Sequence, residues 1–323
     1  MHIFTNPNFN FVKWRWHAIA MSWVIIIAGL VVIWTKGMPK GVEFSGGTIV
    51  ILQFDQNPNI EQVRGALSKG VPDGGNAIVQ QYGPPASRQV MVRVHTAGAE
   101  AGGSLSATAE QVDAAIKKAN LGNPQVVGRE IVGPTVGKEL QTRGTLATIF
   151  ALAGILVYIA VRFQLSFAVG AVVATVHDLL ITLAVLAFFR YDLTLNIIAA
   201  ILTITGYSMN DTIVIFDRIR ENMRSMRRDN IEHIVNVSVN QMLDRTIITG
   251  GTTMLSVIAL YLFGGEVLKG FAFTMIVGII TGTYSSVFIA AAIVIIWQGR
   301  KPVKAAPAAP IAPAKKPRRA RAS

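Results

Sequence analysis

Six separate stretches of this sequence, at residues 18–34, 144–161, 166–189, 193–216, 246–263 and 268–297, are almost wholly apolar. Each is long enough, at 1.5 Å per helical residue, to cross or nearly cross a hydrocarbon layer about 30 Å thick. Inside lipid every backbone N–H and C=O must be bonded within the protein, so such stretches fold as helices. With 51% of its residues hydrophobic, the chain is expected to be an α-helical integral membrane protein.

Residues 193–216 carry the most informative chemistry. The second half holds Thr203, Thr205, Gly206, Tyr207, Ser208, Asn210 and Asp211, with Thr203, Tyr207 and Asp211 spaced to share a helix face. A carboxylate at bilayer depth costs about 2.5–3.5 kcal/mol on insertion scales. Asp211 therefore reads either as an ion- or proton-responsive group facing a protein interior, or as an acid near the helix end reaching for the interface. Residues 166–189 carry a second polar face, with His177 and Asp178 near the middle and Thr175 and Thr182 alongside. A structural pair bonded to neighbouring helices explains that face as well as a working group does. Arg245 opens 246–263, and Thr249, Thr252, Thr253 and Ser256 continue inward below it. Ordinary snorkelling and a polar cleft account for Arg245 equally well.

Of 30 Lys and Arg, 17 fall in segments that an inside N-terminus places in the cytoplasm, and the two short outer turns hold only Arg190 and Lys269. The first 17 residues form a cytoplasmic arm, and the span that follows lacks an A-x-A-like cleavage site, so it reads as a retained anchor. Residues 217–244 have the spacing of an amphipathic helix on the cytoplasmic surface. Residues 300–323 mix Pro, Ala, Lys and Arg without apolar period and are expected to be a disordered basic cytoplasmic tail, with no specific nucleic-acid partner. The net charge of +12 is thus a topology signal. No cysteine is present, which excludes thiol catalysis and disulfides.

Residues 36–143 form one extracytoplasmic domain between the first two spans. Its pattern is strand 48–54, helix 60–70, strand 77–82, strand 88–95, a helix capped by Ser106 or Thr108, and strand 124–131. That β-α-β-β-α-β order is a ferredoxin-like α+β unit. In strand 88–95, Val90, Val92 and Val94 alternate with Met91, Arg93 and His95, as in a half-buried strand. His95 reads as a surface histidine, not a ligand. Gly278 and Gly282 form a GxxxG pair that makes 268–297 a helix-packing surface. No nucleophile–base pair, nucleotide loop or metal-ligand spacing appears, so no enzyme and no cofactor are expected.

Five segments in order resemble a known family: 41–48 (with Gly41, Glu43, Phe44, Gly46 and Gly47), 132–140 (with Gly133, Pro134 and Gly137), His177-Asp178, 206–222 (with Gly206, Asn210, Asp211, Asp217 and Arg218) and Arg245-Thr246. Together they resemble the SecF family, the smaller membrane subunit of the bacterial SecDF complex, within the resistance–nodulation–division (RND) superfamily. The resemblance covers about residues 14–297. It implies six helices of RND type, a bacterial inner-membrane location with both termini cytoplasmic, and pairing with SecD. It implies further partners in the SecYEG channel, YajC, YidC, membrane lipids and the preprotein chain. Protons driven by the proton motive force would power a late stage of translocation. Asp211 and Arg245, with Asn210 in the same motif and Asp178 less directly, would form the proton relay. An RND-type exporter half and a purely structural subunit are the rival readings.

Overall fold

The computed structural model describes residues 7–94, 102–121 and 124–299. Helix α1 (Arg15–Lys36) ends where Gly37 takes a positive φ of 67°. A short turn of helix, α2 (Val42–Ser45), follows, and Gly46 and Gly47, both with positive φ, swing the chain into strand β1 (Gly47–Gln53). Glycine alone adopts that pair of conformations without strain. Helix α3 (Ile60–Gly70) starts at Asn59, whose side chain accepts a hydrogen bond from the Glu61 N–H. Then come β2 (Ile78–Tyr82), β3 (Gln89–Val94), α4 (Gly102–Lys118) and β4 (Gln125–Val132).

The strands make one four-stranded sheet in the order β2-β3-β1-β4, each neighbour antiparallel. Val50, Leu52, Val90, Val92 and Val94 point to one face and pack with Val63, Leu67, Val112 and Ile116 of α3 and α4. Helix α4 begins several residues before the expected caps. Thr108 is buried inside it, because the apolar row Ala109, Val112, Ala115 and Ile116 seats a longer helix on the sheet than the cap signal suggests. His95 and residues 300–323 lie outside the described residues.

Gly133 and Pro134 launch α5 (Pro134–Arg162), with proline at the first helical turn where its missing N–H costs nothing. Helices α6 (Leu165–Phe188), α7 (Leu195–Ser225), α8 (Ile231–Phe263) and α9 (Gly265–Ser285) follow. A π-helical turn, Ser286–Ala290, joins α9 to α10 (Ala291–Gly299). Among the described residues, six helical segments are long and apolar enough to cross a membrane. The expected surface helix over 217–244 is replaced by the ends of two long helices. Helix α7 runs on to Ser225, and α8 starts afresh at Ile231, where the Asn230 side chain accepts from the His233 N–H. No breaker separates Ile231 from Thr246, so helical bonding continues straight into the apolar span. The apolar faces of the two extensions pack on each other, and Asn222 donates to Ser238 and Gln241 across the seam.

Close approach of small residues sets the bundle. A Cβ on Gly278 would fall 2.3 Å from Ile204, and one on Gly29 would fall 2.1 Å from Ala184. The GxxxG expectation for the last span is met at the α7–α9 contact. Phe167 and Phe216 meet edge-on at 5.1 Å in the largest apolar cluster, among Ala171, Ala290 and Val294.

Candidate functional site

Two polar centres lie within the helices. The first is Asp178 on α6, buried at 3% exposure. The Ser208 hydroxyl of α7 donates to its Oδ2 at 2.5 Å, and the Ser285 hydroxyl of α9 donates to the same atom at 2.8 Å. His177 Nδ1 lies 2.9 Å from Oδ1. One carboxylate thereby ties three helices, which charge-assisted hydrogen bonds do more strongly than neutral ones. Adjacent residues on a helix point about 100° apart, so Ser285 reaches Asp178 of α6 while Ser286, at the start of the π turn, shares a 2.7 Å hydrogen bond with Thr212 of α7. His177 stacks on Tyr284, whose hydroxyl donates to the Ala18 carbonyl of α1 at 2.7 Å. His177 Nε2 and Thr182 Oγ1 are buried without a hydrogen-bond partner.

The second centre is Asp211 on α7. Thr246 of α8 donates to its Oδ1 at 2.8 Å, while Oδ2 is buried with no hydrogen-bond partner. Tyr207, one turn earlier, brings its hydroxyl beside Gly250 of α8. Arg245, grouped with Asp211 in the relay that the resemblance implies, makes no direct ion pair with it. It acts on that carboxylate by charge alone, and its side chain lies exposed on α8. Helix phase is the reason: one residue is about 100° of rotation, so seating Thr246 toward α7 turns Arg245 aside. Thr203 is exposed rather than joined to this centre, and Asn210 is exposed in a groove between α5 and α7 lined by Gly154, Tyr158 and Gly206.

The remaining motif residues hold junctions. Gly41 donates its N–H to the Leu193 carbonyl at 2.7 Å. Gly137 packs against the Gly46 backbone, where a Cβ would sit 3.1 Å from the Gly46 nitrogen. Phe44 is buried, and Glu43 lines a cleft between sheet and helices. At the opposite end Arg218 donates to Gln241 at 2.6 Å and pairs with Glu221, while Asp217 stays exposed.

The sequence reading missed Ser285, and with it the seat of Asp178, because the two residues lie 107 positions apart and no local pattern joins them. It also missed the partner of Arg93. That arginine is 3% exposed and meets Asp192 of the α6–α7 turn at 2.6 Å. A basic residue on the strand face beside Met91 was the available signal.

The family described as "Protein export membrane protein SecD/SecF, C-terminal" matches residues 111–300, and the "SecD/SecF GG Motif" matches residues 31–58, where Gly46 and Gly47 turn the chain into β1. The chain belongs to the SecF family. A protein translocase subunit SecF from Desulfurispirillum indicum is 42% identical over 298 residues, covering 90% of this chain and 92% of that protein. The Escherichia coli O157:H7 SecF is 39% identical over 285 residues, covering 88% and 86%. The crystal structure of SecDF from Thermus thermophilus, a translocon-associated membrane protein, superimposes with a TM-score of 0.81 at 33% identity over 91% of this chain. This chain spans 39% of that longer one. SecDF in its super-membrane-facing form gives a TM-score of 0.66. The SecF-family chain is thus a multi-pass membrane protein and the counterpart of the SecF part of SecDF.

Proposed function

We propose that this chain, paired with SecD in the bacterial inner membrane with both termini cytoplasmic, uses the proton motive force to assist a late stage of preprotein translocation. Asp211 is the observation that carries the reading. One oxygen is held by a threonine, the other is buried and unpaired, and a guanidinium stands at the next helix position. An unpaired carboxylate oxygen in a low-dielectric interior is costly when charged, so proton uptake there changes the packing energy of α7 against α8. In the proposed cycle the protonated acid rests on Thr246. Deprotonation draws Arg245 inward and turns α8.

One charge moved through the membrane field is worth about 2.3 kcal/mol per 100 mV. Swinging a two-state equilibrium from 1:99 to 99:1 takes about 5.5 kcal/mol. One proton per stroke is therefore marginal at a bacterial potential, and a second supplies the remainder. The exposed hydroxyls Thr249, Thr252 and Ser256 of α8, with Asn210, make a polar face suited to cover by SecD. The lobe formed by residues 36–143 is read as a periplasmic ferredoxin-like domain, which its strand order supports. SecYEG, YajC and YidC are the further partners of this reading. The chain itself makes and breaks no covalent bond and uses no cofactor beyond protons.

Asp178 supports a second reading for its own centre. With two serine hydroxyls donating to it and His177 Nδ1 beside it, that carboxylate is suited to hold helices together. Preprotein release and proton flux measured together in inverted vesicles test the proposal. Asp211→Asn is expected to abolish the gradient-dependent part of both, and unchanged flux and release would reduce the chain to a structural subunit.

A further inference from the structure

The sheet turns its second face, which includes Ile49, Ile51 and Met91, toward the ends of the spans, leaving a cleft of about 400 Å³ at the junction. Two kinds of bond close the junction. Backbone bonds join Gly41 to Leu193 and Leu193 to Pro39, and the Arg93–Asp192 ion pair joins β3 to the α6–α7 turn. Arg93 is the buried member of that pair, and its Nε is buried without a partner. Glu130 of β4 lies in the same row of the sheet. Ile49 of β1 is flanked by Arg93 on one side and by Glu130 on the other, so both side chains leave the same face about 10 Å apart. An arginine side chain spans much of that distance.

We propose that Arg93 is a two-position latch, bonded to Asp192 when the lobe is docked on the membrane helices and drawn to Glu130 when the lobe lifts. The proposal goes beyond the proton-relay reading and does not depend on it.

Charge sets the direction. The groups facing the cleft are Glu43 of α2, Tyr82 of β2, Glu130 of β4, Asp192 and Tyr191 of the turn, and Lys269 of α9. Partial burial in the cleft, then the negative charge of Glu43, raise the Glu130 carboxyl above its usual range, against the opposing pull of Arg93. A group that holds its proton more tightly in the docked state makes docking tighter at low pH. Below the ordinary carboxylate range Glu130 is neutral in either position. As pH rises through its raised value the charge develops, competes for Arg93 and favours the lifted lobe, where water solvates it. Glu130 touches solvent, so it exchanges protons with the aqueous side of the junction and not with the membrane interior.

The chain has no cysteine, so Lys69→Cys on the lobe and Leu262→Cys on α8, both exposed sites, accept spin labels without background. Pulsed dipolar distances are read on the full chain with a cysteine-free SecD partner in lipid vesicles, from about pH 5 to about pH 8. The expected result is one docked distance at low pH and a second, longer one that grows as pH rises. Glu130→Gln should keep the docked distance throughout. Asp192→Asn should raise the lifted-to-docked ratio about a hundredfold at every pH, as loss of one partner from a buried pair does. The exchange Arg93→Asp with Asp192→Arg should restore docking. A single unchanged distance in the parent and in Asp192→Asn overturns the latch. A pH shift that survives Glu130→Gln overturns the role given to Glu130.

Discussion

Gly282 on α9 leaves no space beside Ser208 on α7: a Cβ at Gly282 would lie 2.7 Å from the Ser208 Cβ. That contact brings the α7 and α9 backbones together at the level where Ser208 and Ser285 both reach Asp178. Small residues therefore set more than helix spacing here. They set the distance from which two hydroxyls serve one buried carboxylate.

Gly282→Ala should push α9 from α7 and loosen that seat. Overpacking of this kind costs about 1–3 kcal/mol. Gly278→Ala should act alike, since its Cβ would meet Ile204 at 2.3 Å, whereas Gly154→Ala, with nothing within 4 Å, should be neutral or slightly stabilising. Thermal unfolding of the three variants in one detergent provides the comparison.

At Asp178, charge and geometry separate. Asp178→Asn keeps an oxygen acceptor for the serines, while Asp178→Ala strands the buried Ser208 hydroxyl and leaves Ser285 only the Gly282 carbonyl. Leaving buried donors unsatisfied costs about 1–3 kcal/mol each. The alanine variant should thus lose clearly more stability than the asparagine variant. If export by Asp178→Asn stays near the parent level when its stability does, Asp178 is a clamp; if export falls while stability holds, it belongs to the relay.

Much of this architecture is written in residue spacing. Unbroken apolar runs define the spans, since lipid admits no other solution, and the valine alternation in β3 marks the packed face of the sheet. Motif residues Gly46 and Gly47 announce a turn because their positive φ suits glycine, and Pro134 announces the start of a helix. What spacing does not encode is rotation. The register that puts Thr246 against Asp211 and turns Arg245 outward depends on how α8 settles against α7, and no local pattern fixes that angle. The π turn Ser286–Ala290 is hidden as well, because no local pattern announces it. Burial of Arg93 is illegible because its cover comes from Asp192, which lies 99 residues away.

The N-terminal arm is strapped rather than merely adjacent. Asn240 accepts from the Phe9 N–H and donates to the Phe9 carbonyl, both at 2.8 Å, and Asn236, one helical turn earlier, accepts from the Phe11 N–H at 2.9 Å. Arg15 adds an ion pair with Glu232. Each side-chain hydrogen bond contributes about 0.5–1.5 kcal/mol net. The double variant Asn236→Ala with Asn240→Ala should free the arm without unfolding α8. Amide hydrogen exchange at Phe9 and Phe11 should rise at least about tenfold while exchange within α8 stays put. Equal protection in the variant would mean that apolar contacts of Phe11 hold the arm instead.

The proposed relay is tested by graded removal. Thr246→Val deletes the hydrogen bond to Asp211 Oδ1 but keeps the carboxyl, so about 0.5–1.5 kcal/mol of support is lost and gradient-driven release should weaken without vanishing. Arg245→Met keeps the stem and removes the charge that acts on Asp211. It should abolish coupling as fully as Asp211→Asn while leaving the fold intact, because the side chain lies exposed. Arg245→Lys separates charge from shape: it should retain partial coupling if a positive charge suffices, and none if the guanidinium must bond Asp211 in the turned state of α8. Preprotein release with and without an imposed proton gradient gives each variant's coupled fraction. An Arg245→Met protein that releases preprotein in response to the gradient at the parent rate would remove Arg245 from the mechanism and leave Thr246 as the only working partner of Asp211.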